Sequence, residues 1–318
     1  MTDNADTRKY HHVAVLMGGW SAEREVSLNS GTPCADALEQ QGYRVTRIDA
    51  SRDLATRLAE VKPDACFNAL HGRWGEDGCV QGILECLGIP YTHSGVLASA
   101  LAMHKQRAKL VMAAAGVPVA EGRMLAREEA ATRHAMEPPY VAKPIAEGSS
   151  VGVVIVPKGA NAPPADKIRQ IPDLDGQIMV ERFVAGRELT CAVIDGRATA
   201  IIDIVPRGDL VFYDYEAKYA SGGSIHVLPA KILPDVYQSI QKYTVLAHHA
   251  LGCRGVSRAD FRLDDTPGGT GQLICMEVNT QPGMTATSLV PELAAHDGLS
   301  FGALVRWMVE DASCNRSG

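Results

Sequence analysis

Apolar and polar positions alternate in a repeating beat along the first ninety residues. Residues 13–17, VAVLM, are followed by Gly18-Gly19 and a stretch of helical spacing that runs to Gln41. The same succession of short apolar run and helical segment returns at 44–48 and 54–61, then at 65–70 and 79–87, before a short run at 90–92. Strands alternating with helices predict a parallel sheet with helical crossovers. Pro33 falls inside the first helical stretch, so that helix starts later or kinks there. A further helix is predicted from Gly95 to Ala115, stopped by Gly116 and Pro118.

The pattern then changes. Runs at 140–145, 151–157, 178–184, 188–194 and 198–205 are strand-like and closely spaced, and Asp195-Gly196 marks a hairpin turn between two of them. This region reads as α+β and largely antiparallel. A polar, Gly-rich loop from Arg207 to Ser224 follows, long enough inside a compact domain to suggest a functional segment. A helix at 236–251, a long hairpin at 255–280 and an amphipathic helix at 301–310 complete the chain.

The hairpin is the most informative piece. Its strands read GVSRADFRLD and QLICMEVNT around the turn-rich DTPGGTG. Side chains alternate along a strand, so Arg258 and Asp260 share one face, as do Glu277 and Asn279. A loop centred near Gly268 pairs Asp260 with Glu277 and Arg258 with Asn279, and places the apolar Phe261, Met276 and Val278 on the other side. Two carboxylates and an amide oxygen beside an arginine suit a hard cation such as Mg²⁺ that also touches phosphate. The competing reading is a solvated polar face with a surface ion pair.

Three loops are candidates for binding. KPIAEGSSVG, 143–152, offers backbone N–H groups and hydroxyls that can wrap a phosphate, with Lys143 nearby, although a Gly/Ser stretch between strands is more often just a turn. It is not a Walker A loop, and no G-x-G-x-x-G follows Gly18-Gly19 to support a Rossmann dinucleotide site. YDYEAKY, 213–219, could clamp a lid or staple the loop to the core. SAEREVS, 21–27, and the pairs His71-Gly72 and Glu76-Asp77 follow strands at their carboxyl ends, where open α/β sheets bind ligands. Helix capping by Ser27 and Asp77 is the alternative.

Composition narrows the class. The 318 residues, 46% hydrophobic and 21% charged, describe an ordinary globular protein of two or three domains. A net charge of −6 argues against a general nucleic-acid binder. The first twelve residues are polar and the five apolar ones after them are too few for a signal-peptide core. No stretch approaches a membrane span. The eight cysteines contain no C-x-x-C pair and mostly lie in apolar runs, as buried reduced thiols do. A cytoplasmic protein is the expectation.

Together, SAEREVS, ALHGRWGEDG, KPIAEGSSVG, ERFVAGRELT, YDYEAKY, SRADF and EVNTQPGMTATSLVP resemble, in that order, the D-alanine–D-alanine ligases of the ATP-grasp superfamily. The resemblance runs from about Val13 to Val309. It implies an ATP-grasp fold behind an N-terminal parallel α/β domain: 1–94 for substrate, 95–180 as the central subdomain and 181–318 as the C-terminal subdomain with the metal hairpin. It implies ATP-dependent, ADP-forming ligation of two D-alanines through a D-alanyl phosphate, for peptidoglycan precursors. The implied cofactors are ATP and two Mg²⁺ ions, with Mn²⁺ as a substitute, and the implied assembly is a homodimer. Residue by residue, Lys105 and Lys143 match the two ATP-binding lysines, and Ser149 and Ser150 the loop over the phosphates. Glu181 and Val184 match positions at the adenine, Glu188 the ribose contact and Lys218 a γ-phosphate contact. Asp260, Glu277 and Asn279 match the metal site, in agreement with the strand-face argument. Glu23 matches the carboxylate that holds the first D-alanine's ammonium, with Ser149 and Tyr219 as its partners. Arg258 and the Gly283 backbone match the oxyanion pocket, Ser288 the grip on the second D-alanine's carboxylate, and His71 lies near the first substrate. Gln281 and His104 stand where family members vary and carry no assigned contact. Two rivals remain: another ATP-grasp carboxylate–amine ligase, which need not carry SAEREVS or YDYEAKY, and a non-catalytic nucleotide sensor, which should lack a metal ligand or Arg258.

Overall fold

The computed structural model describes residues 8–148, 152–206 and 223–314. Strand β1 (His12–Met17) is buried along its whole length and lies between β2 (Arg44–Asp49) and β3 (Ala65–Asn68), parallel to both. Helices α1 (Arg24–Gln40), α2 (Leu54–Val61) and α3 (Cys79–Leu87) make the crossovers that the alternation predicts. The run at 90–92 contributes only a bridge, Cys66 to Tyr91.

Helix α1 starts at Arg24 and takes Pro33 into its interior. What holds it is burial: Val26, Ser30, Cys34 and Leu38, four residues apart, all face inward. Gly31 lets it approach β1 closely, since a Cβ there would stand 2.6 Å from that of Met17. The single helix predicted from 95 to 115 is two, α4 (Val96–Met103) and α5 (Lys105–Ala114). His104 breaks it with an extended backbone, φ −89° and ψ 90°, and its Nδ1 accepts from the Arg107 N–H at 3.4 Å. Apolar periodicity continues through the break, so the spacing carries no sign of it.

A second sheet, antiparallel, has the order β4-β7-β5-β6, from β4 (Gly122–Ala126), β5 (Tyr140–Lys143), β6 (Val154–Val156) and β7 (Gln177–Arg182). Short helices α6 (Arg127–Thr132) and α7 (Ala165–Arg169) cover it around Tyr140, Ile168 and Ile178. Residues 180 and 181 are neighbours inside β7, and the chain changes sheet after Arg182.

The third sheet has the order β10-β9-β8-β11-β12, all antiparallel: β8 (Arg187–Ile194), β9 (Arg197–Pro206), β10 (Ser224–Val227), β11 (Ser257–Leu263) and β12 (Leu273–Asn279). Asp195 and Gly196 turn β8 into β9 with φ of 52° and 70°, as a tight hairpin requires. Helices α8 (Pro234–Ala250) and α9 (Leu289–His296) both pack on β8 and β9 of this sheet, while α10 (Phe301–Glu310) returns to α1 and β3 of the first. Val13 and Val15 of β1, Ile202 and Ile204 of β9, and Leu293, Leu304 and Met308 form one core, so the first and third sheets are packed as a unit. Of the loop from Arg207 to Ser224, residues 207–222 lie outside the described residues and Ser224 opens β10.

The hairpin register is the one expected, with Asp260 opposite Glu277 and Arg258 opposite Asn279. One residue further the ladder slips, because Phe261 faces Cys275 and Met276 is the extra residue of a β-bulge. Cys275 and Val278 go to the core with Ala259 and Phe261, whereas Met276 joins Ile274 and Glu277 on the open side. Strict alternation had placed Met276 on the other face; the bulge corrects that.

Candidate active site

Two clefts meet at the hairpin. The first, with about 750 Å³ of open space, lies between β5 and β7 on one wall and β11 and β12 on the other. Val141, Val153, Phe183, Val184, Ile274 and Met276 give it apolar walls, and Lys105, Lys143, Glu181, Glu188, Asp260 and Glu277 put charge along it. The second, of about 730 Å³, is polar and is assembled from Glu23, His71, Glu76, Gly148, Arg258, Glu277, Asn279 and the turn from Gln281 to Ser288. Glu277 borders both.

The floor of the first cleft is a buried charge cluster. Glu181 accepts from the Lys143 ammonium at 2.5 Å and from that of Lys109, and all three side chains are buried. Burial pushes the Glu181 carboxyl up, but the two ammoniums outweigh it and hold the group below its ordinary value. Burial likewise pulls Lys109 down, with Glu181 opposing. Two cations to one carboxylate leave surplus positive charge, which suits a polyanion. Lys105 stands at the junction, donating to the Glu147 carbonyl at 2.6 Å with its Nζ 3.4 Å from Glu277 Oε2. A slot with apolar walls and a cationic floor fits a planar base bearing phosphates.

On the hairpin, Arg258 forks onto both oxygens of Asp260, at 2.9 and 2.8 Å. Asn279 Nδ2 donates to Asp260 Oδ2 at 3.0 Å, and Thr190 Oγ1 donates to Oδ1 at 2.7 Å. The polar face is therefore enclosed, not a solvated surface.

In the second cleft Glu23 stands just before α1, and its side chain makes no cap for that helix. Its Oε2 lies where a Cβ on Gly72 would be, 2.2 Å away, and Gly72 has a φ of +70°, so only glycine fits. Ser288 is the N-cap residue of α9, yet its side chain makes no cap for that helix; its Oγ accepts from the Thr285 N–H at 2.9 Å. A side chain on Gly283 would meet that Oγ at 2.9 Å. His71 lines the cleft, but both ring nitrogens have internal partners, Nδ1 with Glu76 Oε1 at 2.8 Å and Nε2 with Ser30 Oγ at 3.0 Å. Ser27 is no cap: it lies inside α1 and donates to the Ala69 carbonyl at 2.8 Å. Asp77 accepts from Trp74 N–H and Cys79 N–H, tying the turn before α3.

The structure thus brings together Lys105, Lys143, Glu181, Val184, Glu188, Asp260 and Glu277 in one cleft and Glu23, His71, Arg258, Glu277, Asn279, Gly283 and Ser288 in the other. Ser149, Ser150, Lys218 and Tyr219 lie outside the described residues. Sequence reasoning missed four residues. Lys109 lies one helical turn after Lys105, a spacing that could have shown it. Arg262 continues the alternation of Arg258 and Asp260. Ser30 and Gln281 gave no such signal, although Gln281 is buried and ties the hairpin's exit to β3, its Oε1 accepting from Asn68 Nδ2 at 2.7 Å and its Nε2 donating to the Leu70 carbonyl.

Comparison with known proteins identifies the family. A family model described as D-ala D-ala ligase C-terminus matches residues 111–310, and one described as D-ala D-ala ligase N-terminus matches residues 50–94. The D-alanine–D-alanine ligase of Methylobacterium radiotolerans is 65% identical over 306 residues, 96% of this chain and 99% of its own. That of Parvibaculum lavamentivorans is 64% identical over 305 residues, 96% of this chain and 98% of its own. Among solved structures, the D-alanine–D-alanine ligase of Bacillus anthracis complexed with ATP superposes with a TM-score of 0.76 at 30% identity, covering 95% of this chain and 96% of that one.

Proposed function

The chain belongs to the D-alanine–D-alanine ligase family, and from that premise we propose how its residues divide the work. It joins two D-alanines to D-alanyl-D-alanine at the expense of ATP, and the dipeptide serves peptidoglycan precursor synthesis. The observation that carries the division is Glu277, which borders an apolar, cation-floored cleft on one side and a polar cleft on the other. The two steps of the ligation need such a junction. A carboxylate does not acylate an amine at neutral pH, because oxide is a poor leaving group. Transfer of the γ-phosphoryl group makes the D-alanyl phosphate, from which phosphate leaves readily.

The first cleft takes ATP. Val184 and the backbone at Glu181 border the base, since the Glu181 carboxylate is engaged by two lysines. Glu188 faces the ribose, and Lys105 and Lys143 supply positive charge for the phosphates, with Ser150 and Lys218 in support. The second cleft takes the amino acids. Glu23, with Ser149 and Tyr219, holds the first ammonium; Arg258 and the Gly283 N–H stabilise the oxyanion; Ser288 holds the second carboxylate. A lost oxyanion donor costs about 10²–10³ in rate. His71 acts by position, because its ring nitrogens are engaged by Glu76 and Ser30.

Asp260, Glu277 and Asn279 fit Mg²⁺ by donor chemistry. They offer two carboxylates and an amide on one side of the hairpin, all hard oxygen donors once the Asn279 amide turns its oxygen toward Asp260. Among the described residues no cluster of three His, Cys, Asp or Glu competes as a metal site. When bound, Mg²⁺ or Mn²⁺ neutralises phosphate charge during transfer. Arg258 and Lys105 neutralise the same carboxylates in its absence.

The test is ADP release with D-alanine set against L-alanine and D-lactate; turnover with D-alanine alone is the expected result, and preference for D-lactate sinks the substrate reading. We also place the enzyme in the cytoplasm, as a homodimer. None of the eight cysteines is in a disulfide, and among the described residues no helix is long and apolar enough to cross a membrane. Sedimentation analysis tests the dimer.

A further inference from the structure

Arg262 is used by none of the steps above, yet its guanidinium reaches three separate parts of the first cleft. It lies on β11 two residues beyond Asp260 and is 7% exposed. Its Nε donates to the Val184 carbonyl at 3.1 Å. Its Nη1 stands 3.5 Å from Oε2 of Glu188, the residue directly opposite in the β11–β8 ladder. Its Cζ lies over the Phe183 ring, 5.5 Å from the centroid. Phe183, Val184 and Glu188 all line the cleft. Phe183 and Val184 belong to the short connection from β7 to β8, where the chain passes from the second sheet to the third.

Two physical demands meet here. Glu188 is a buried carboxylate, 6% exposed, and a buried charge needs a partner. The 183–186 connection has no ladder of its own, so its carbonyls need donors from elsewhere. Arginine meets both at once because its donors are arranged as a rigid planar fork; a lysine at the same place is a single point of charge and serves one partner or the other.

We propose that Arg262 is a positioning residue of the nucleotide cleft: it sets the Glu188 carboxylate for the ribose hydroxyls and fixes the Phe183–Val184 backbone beside the base. This rests on the reading of Glu188 as the ribose contact. Arg262 acts through Glu188, so its loss should remove discrimination at the ribose and leave the D-alanine cleft alone.

The experiment compares kcat/KM for ATP, 2′-deoxy-ATP and 3′-deoxy-ATP at saturating D-alanine. It uses the full-length enzyme, Glu188→Ala, Arg262→Met, Arg262→Lys and the Glu188→Ala/Arg262→Met double variant. The unsubstituted enzyme should prefer ATP over at least one deoxy analogue by about tenfold or more, the worth of a hydrogen bond to a charged group. Glu188→Ala should bring that ratio near one. Arg262→Met should fall within about twofold of the Glu188→Ala ratio, with the KM for D-alanine within about twofold of the original, and the double variant should lose no more discrimination than either single one. A merely structural loss lowers kcat/KM for all three nucleotides alike and leaves the ratio where it was; that result overturns the proposal. If the unsubstituted enzyme shows no discrimination, or Glu188→Ala keeps it, the ribose reading fails and takes the proposal with it. If Glu188→Ala loses discrimination and Arg262→Met keeps it, the proposal alone fails. Should Arg262→Met not fold, Arg262→Lys carries the test, and full discrimination in that variant overturns the proposal.

Discussion

The two clefts share one residue but are built differently. The first is a product of strands: Lys143 ends β5, Glu181 lies on β7, Glu188 on β8, Asp260 and Arg262 on β11 and Glu277 on β12. Its charges are locked in pairs and clusters across ladders. The second is a product of loops and helix ends: Glu23 before α1, His71 and Glu76 after β3, Gly283 and Ser288 before α9. Its order comes from hydrogen bonds between segments far apart in sequence, such as Gln281 to Asn68 and Ser30 to Met284. The strand-built cleft is held by the same forces as the fold, so damage there should appear in stability. The loop-built cleft is held by a few local bonds, so damage there should appear in rate.

Glu277 is where the comparison is put under most strain, because it serves both sides. Glu277→Gln keeps the shape and removes the charge. Turnover should fall by about 10³-fold or more, as when a preorganised electrostatic group is lost, while the melting temperature stays within a few degrees. Steady-state ADP release and a thermal melt decide it. Activity close to that of the unsubstituted enzyme would remove Glu277 from the junction.

Glu181 tests the strand-built side. Glu181→Gln leaves two buried ammoniums with no carboxylate, and breaking a buried pair costs about 3–5 kcal/mol. The readout is the denaturation midpoint. The pH dependence has a definite sign. The folded Glu181 carboxyl sits below its ordinary value of 4.5, so its contribution is complete above that pH and is lost as pH falls through the folded value. The acid limb of the stability curve below pH 4.5 should therefore flatten in the variant. An unchanged limb would mean the cluster is not what acid breaks.

A scaffold residue behind the shared strand gives an intermediate effect. His248 on α8 is buried, its Nδ1 is 2.7 Å from Ser257 Oγ at the start of β11, and burial, with His249 adding, pushes it down to about 4. The folded form resists the proton that the unfolded chain accepts below pH 6.5. The contribution of His248 should therefore lower stability between pH 6.5 and about 4, by up to about 3 kcal/mol, and add nothing further below. Denaturation midpoints at several pH values measure this, and His248→Gln should remove most of the slope. A slope that survives in that variant belongs to other groups.

The same contrast explains what could be read from the residues alone. Period-two alternation placed Asp260 against Glu277 and Arg258 against Asn279, and the parallel sheet and its crossovers followed from the alternation of runs. What escaped was whatever breaks a period. The bulge at Met276 adds one residue with no turn signal around it. The extended backbone at His104 interrupts a stretch whose apolar spacing does not change. Strands β4 and β10 and helices α6, α7 and α9 are short, and a short element carries too few residues to show a period. Ser30 and Gln281 matter through partners more than 200 positions away in sequence, and local patterning holds no information about those.

Ser30 gives the smallest predicted effect and the sharpest test of the loop-built side. Its Oγ accepts from the Met284 N–H at 3.2 Å and lies 3.0 Å from His71 Nε2, while His71 Nδ1 lies 2.8 Å from Glu76 Oε1. With the imidazole neutral, one arrangement of protons satisfies the whole chain. The Ser30 hydroxyl donates to a bare Nε2, Nδ1 carries the ring hydrogen, and that hydrogen goes to the Glu76 carboxylate. Met284 follows Gly283, so this fully buried serine pins the turn that presents the Gly283 N–H. Ser30→Ala leaves the Met284 N–H without its acceptor and lets the turn drift. Outright loss of an oxyanion donor costs about 10²–10³ in rate, and a displaced donor should cost less, about tenfold in kcat. The KM for ATP should stay within about twofold, because the hydrogen-bond partners of Ser30, His71 and Met284, lie on loops outside the first cleft. Initial rates over a grid of ATP and D-alanine concentrations separate the two. A rise in the KM for ATP that matches the fall in kcat would show that the clefts do not fail independently, and the distinction between them would have to be given up.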